Sequence, residues 1–238
     1  ILLGEIQNQS GGSGTWNISG GTGSAQSLRI GWANRPGSVT ISGNGVVTMV
    51  NTPGDDQTGR VAVSQSSGDG TLNVQDAGIL TADHINVGSG EGKGLVSQSS
   101  GTITANRWIA VGIGSTQQAE YNLSGGTTNA AGFEVGADTA GIVRVSASGI
   151  LNVSGNIEVP TRNGQGIFEI SGGTVNTGGF LQGGRDGNFG SGVTNLSGGA
   201  VNVAGDLIVQ RIAVGTGAFN LSGGTLSVDG AIDATLGT

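Results

Sequence analysis

Two glutamates carry the first chemical suggestion in this chain. Glu134 and Glu158 occupy matching phrases, F-E-V and I-E-V. Stacked on adjacent strands, their carboxylates would lie about 5 Å apart, the separation of a retaining glycosidase pair, or could share a divalent cation. No third positioned residue recurs beside them, so the expectation is a solvated surface pair. Asp55 and Asp56 lie in G-D-D-Q-T-G. A calcium site needs several oxygen ligands, and this pair is expected to be a solvated turn. His84 is the sole histidine, which leaves His–His metal sites and conventional triads without support; it is expected to face solvent. The eight arginines and the single lysine, Lys93, are scattered along the chain, unlike the gathered charges of a lyase cleft. Thr102 and Thr104 form one T-x-T that is not repeated as an ice-binding array requires. No catalytic, cofactor or metal residues are therefore assigned, and an enzyme is not expected.

What must position these residues is a repeat. The last full copy, Gly217 to Gly230, reads G-A-F-N-L-S-G-G-T-L-S-V-D-G. Its landmark pair Phe219/Leu221 matches Trp16/Ile18, Val39/Ile41, Leu72/Val74, Val96/Gln98, Tyr121/Leu123, Val143/Val145, Phe168/Ile170 and Thr194/Leu196. Seven of the eight successive intervals are 22 to 26 residues, and one is 33. Repeats of this length, with period-2 alternation and no helical pattern, predict a β-solenoid. Three short strands per copy are predicted. The inward pairs include Leu226/Val228 in the second strand, and Leu28/Ile30 and Phe133/Val135 in the third. Alternate side chains face opposite sides, so each inward set becomes a column when copies stack. Outward columns are polar, as in Asn129, Asn152, Asn176, Asn202, and should hydrogen-bond from copy to copy. Gln98 falls at an inward site and requires a polar partner if buried. The expected fold is all-β: a right-handed parallel β-helix of about nine turns.

Composition bounds the function classes. Net charge is −7, which disfavours nucleic acid and anionic membrane surfaces. No apolar run is long enough to span a bilayer, so no membrane insertion is expected of this chain. There is no cysteine, hence no disulfide staple or thiolate metal site. Six N-x-S triplets start at Asn8, Asn17, Asn122, Asn152, Asn195 and Asn220. Five belong to the repeat columns, where glycans on adjacent layers would crowd. The chain divides into an N-terminal segment, residues 1–13, and a single solenoid domain, residues 14–238. The large insertion, near Asn51 to Thr58, is predicted to bulge from one corner because its Pro-Gly marks a turn.

The phrases Y-N-L-S-G-G-T at Tyr121, F-E-I-S-G-G-T-V-N at Phe168, T-N-L-S-G-G-A-V-N-V at Thr194 and F-N-L-S-G-G-T-L-S-V at Phe219 resemble two related groups. One is the autotransporter-type β-strand repeat of bacterial passenger domains. The other is the repetitive secreted proteins of environmental bacteria that end in a Pro-Glu-Pro sorting signal. The resemblance implies an exported β-helix at the cell surface or in the extracellular matrix. The leading expectation is a structural protein whose subunits stack head-to-tail into fibres. The alternatives are an adhesin or glycan-binding passenger domain and, behind it, a carbohydrate-active β-helix enzyme. The partner expected first is another copy of the chain; the second is extracellular polysaccharide or a cell surface. For head-to-tail contact, Phe219, Leu221, Leu226, Val228 and Ile232 at one end are expected to meet Ile1, Leu2, Leu3 and Ile6 at the other, by β-augmentation.

Overall fold

Short alternating segments separated by glycine corners cannot bury an apolar face alone. Each must stack on the next copy, and the computed structural model has this form. It describes residues 2–3, 12–55, 57–114, 117–184, 190–211 and 215–234. Every ladder between named strands is parallel, and together these strands make a β-helix with three strand columns. The first column runs from Gly14–Ile18 through Gly37–Ile41, Gly70–Val74, Gly94–Gln98, Ala119–Leu123 and Ala140–Val145. It continues through the front halves of Gln165–Thr177 and Ser191–Val203 and ends at Thr216–Leu221. The nine predicted copies are thus nine stacked first strands, enclosing about eight complete turns.

The second column begins with Thr22–Ala25 and Val46–Met49 and closes with Thr225–Val228. The third begins with Leu2–Leu3, which pairs with Ser27–Ile30 through Leu3↔Ile30, and closes with Ile232–Asp233 beside Leu207–Ile208. Residues 2–3 therefore extend the third column by one short strand at the N-terminal end.

The landmark pairs point inward as predicted. Val39, Ile41, Leu72, Val74, Phe168, Ile170 and Leu196 are fully buried. β-Branched and leucine side chains fill most layers, and rung five holds two buried rings. Tyr121 meets Phe133 edge-on, with ring centroids 5.8 Å apart and an interplanar angle of 79°, the geometry that aromatic quadrupoles favour.

The corner after the third strand requires a left-handed backbone. Gly31, Gly88, Gly112 and Gly136 take it with φ of 76°, 70°, 80° and 72°. Ser64 occupies the same corner with φ 62°, fully buried. A side chain is strained there, where glycine carries no such penalty.

Candidate functional site

The last described layer is built like the others, and among the described residues it is covered on one face only. Leu221 is 55% exposed and Ile232 62% exposed, whereas their column neighbours Leu196 and Leu207 are buried. Phe219, Leu226 and Val228 are partly buried against the core. All five residues expected at this end therefore share one apolar cross-section. The strands Thr216–Leu221, Thr225–Val228 and Ile232–Asp233 pair on one side only among the described residues. At the opposite end, Leu28 and Ile30 are fully buried where Leu2–Leu3 adds to their strand. Ile1 and Ile6 lie outside the described residues.

Rung four, among the least regular in sequence, is joined to rung five by a polar cluster inside the core. The Gln98 amide Nε2 donates to the carbonyls of Gly101, 3.2 Å, and Thr127, 3.0 Å. Its Oε1 accepts from the Thr128 hydroxyl at 2.6 Å and lies 3.3 Å from the Tyr121 hydroxyl. The two hydroxyls are 2.8 Å apart. The buried amide thus has the partners that its inward position required. Burial raises the Tyr121 pKa, with the Thr128 bond opposing it, so the phenol stays neutral.

Outside, a chain of charge climbs the first column. Lys93 Nζ contacts Glu120 at 2.9 Å, and Arg144 bridges Glu120 at 3.0 Å and Glu169 at 2.8 Å. The hydrogen bond from Lys93 holds the Glu120 carboxyl below its ordinary value. Partial burial opposes this, and the charges of Lys93 and Arg144 add to it.

Glu134 and Glu158 are register partners on adjacent rungs, as the repeat implied. The expectation that both are solvated is corrected: Glu158 is 0% exposed, and Gln182 above it is also buried. Gln182 Nε2 donates to Glu158 Oε1 at 3.2 Å, while Arg211 Nη1 reaches back to Gln182 Oε1 at 3.0 Å. A nominally outward position is buried because longer side chains of later rungs fold over it.

His84, expected to face solvent, keeps part of its surface exposed. It is half-buried and lines a cleft beside the insertion. That insertion forms the predicted loop between Val46–Met49 and Arg60–Val63. Asp55 is on its exposed turn and accepts the Gln57 N–H at 2.9 Å; Asp56 lies outside the described residues. Asp83 shares the cleft and accepts from Asn51 Nδ2 at 2.6 Å and Asn106 Nδ2 at 2.9 Å. Asp83, Asn106 and Arg107 went unremarked as a set in the sequence. The available signal was D-H at 83–84 and N-R at 106–107, which fall at the same corner of consecutive copies.

The outward asparagines form the ladder expected of them. Asn152 donates to Asn129 at 3.0 Å, Asn176 to Asn152 at 2.8 Å and Asn202 to Asn176 at 2.8 Å. Asn220 and Asn195 are joined in the same way at 2.8 Å. Comparison of this chain with protein-family models, with curated proteins and with solved structures returns no match.

Proposed function

We propose that this protein is an extracellular structural solenoid whose subunits stack head-to-tail into fibres. The observation that carries the reading is the exposed apolar cross-section formed by Phe219, Leu221, Leu226, Val228 and Ile232. It is rimmed by strand edges whose backbone groups still have hydrogen-bonding capacity. Such a surface is complementary to another parallel rung. The third column offers a matching site at the other end. Leu2–Leu3 and Ile232–Asp233 are its two outermost strands, so axial translation of a second copy brings them side by side in parallel. A contact between opposite ends is heterologous and does not close, and it therefore propagates as a filament. The secreted setting rests on the resemblance of the S-G-G-T phrases alone.

The test is assembly of the purified chain, followed by negative-stain imaging and sedimentation. Filaments with an axial repeat of about 40–50 Å are expected from nine rungs at the inter-strand spacing. Leu221→Asp combined with Ile232→Asp should abolish them and leave the subunit folded. Deleting residues 1–8 should also abolish them. A wild-type chain that stays monomeric at high concentration, or filaments that persist in the double variant, would overturn the proposal.

A further inference from the structure

The corner between the second and third strands carries two neighbouring recesses. The first, about 350 Å³, lies under the insertion loop between Asn51, Asp83, His84 and Arg107. The second, about 360 Å³, is a shallow groove along the rod, walled by Asn106, Asn129, Asn152, Asn176, Ala131 and Ser154. Asn106 lies between them: its amide donates to Asp83 in the cleft, and it also lines the groove. We infer that this axial groove binds a linear, neutral polysaccharide, with one sugar seated in the neighbouring cleft beneath the insertion loop.

The hydrogen-bonding pattern carries the assignment. An asparagine side chain has two N–H donors and a carbonyl with two lone pairs. Asn152 and Asn176 each use one N–H and one lone pair along the ladder. These two residues, on adjacent rungs at the strand spacing of about 4.8 Å, each retain one further donor and one further acceptor for a ligand. A ligand that answers this array must itself repeat hydroxyls along a line. The small apolar residues Ala105, Ala130 and Val153 also line the groove and leave room for a sugar's carbon faces.

Beside the wall, the Trp108 indole is half-buried and lies directly over Gly132, where any side chain would collide with the ring. In the cleft, Asp83 is held by two amides, and Arg107 lines the same recess. This places a fixed acceptor near a donor, the pairing that a sugar hydroxyl uses when it donates and accepts at once.

Other ligand classes fit less well. An acidic polymer meets the Asp83 carboxylate and a chain of net charge −7. A peptide adding as a strand needs a free backbone edge, and the strands behind the groove are paired on both sides. The inference is independent of end-to-end assembly, because the groove lies on the side of the rod.

The experiment is calorimetric titration of the full chain with cellohexaose, xylohexaose, mannohexaose and maltohexaose, each against its disaccharide and against hexagalacturonate. At least one neutral hexasaccharide should bind saturably, about tenfold or more tighter than its disaccharide, as expected for contacts spread over several rungs. Ser154→Arg, an exposed position outside the ladder, should weaken that binding about tenfold by filling the groove. Ser197→Arg, at a different corner, should not. Asn152→Ala should weaken it at a temperature where the variant is fully folded. The inference is overturned if no neutral hexasaccharide binds, if hexagalacturonate binds more tightly, or if Ser154→Arg has no effect.

Discussion

The middle of the rod and its C-terminal end obey the same repeat but treat it differently. Rung four departs from the consensus with Gln98 at an inward site, and side chains stitch it to rung five. Gln98 ties Tyr121 and Thr128 inside, and Glu120 ties Lys93 and Arg144 outside. The last rung keeps the consensus phrase F-N-L-S-G-G-T-L-S-V and leaves its inward residues open. Regularity in sequence therefore does not mean closure in structure. A regular rung has an apolar face above and below, and it is satisfied only where another rung lies on both sides. The irregular rung four instead uses polar contacts matched to the particular side chains of rung five.

The largest test of this contrast places the same charge in one inward column at two depths. Leu196→Asp buries an unpaired carboxylate and should cost several kcal/mol of stability, read by thermal or denaturant unfolding. Leu221→Asp, one rung further on, should leave the monomer's melting temperature nearly unchanged, because that residue is already half in water. Equal destabilisation by both would show that the last rung is covered in solution and would remove the distinction between the two regions.

A smaller effect is expected from the stitched rungs. Gln98→Leu keeps the volume roughly but strips the Gly101 and Thr127 carbonyls of the Gln98 amide. The loss should be about 1–3 kcal/mol. Introducing Asp, Asn or Gln at Leu221 creates no comparable lock, since no Tyr–Thr pair faces it. If Gln98→Leu unfolds at the same denaturant concentration as the parent chain, the internal cluster contributes nothing to stability.

The smallest effect belongs to the outer charge chain. The folded pKa of Glu120 is below its ordinary 4.5. Its contribution is therefore complete above that value and is lost as the pH falls through the lowered folded value. Lys93 and Arg144 are substantially exposed, so screening keeps the magnitude under about 1 kcal/mol. Melting curves of the parent and Glu120→Gln should differ at neutral pH and converge at acid pH. A difference that grows on acidification would reverse the sign of this linkage.

The periodic features were legible in the sequence because each is local. Alternation over four or five residues says which side chains turn inward, and the S-G-G phrases say where strands break. Repetition at near-constant spacing then makes columns unavoidable, which is why Leu196, Phe168 and the Asn129–Asn202 ladder fall where the pattern puts them. Gln98 was legible as a problem, an amide at an apolar site, and its solution came from Thr128 on the following rung.

What the sequence by itself determined was the architecture and the columns, since both follow from two-residue alternation and a short repeat. Only the tertiary structure decided what happens where rungs reach across one another. It buried Glu158 under Gln182 with Arg211 behind it, and drew His84 and Asp83 into a cleft with the insertion loop. Those outcomes depend on side-chain length and loop path at corners, where spacing varies from copy to copy and the period carries no information.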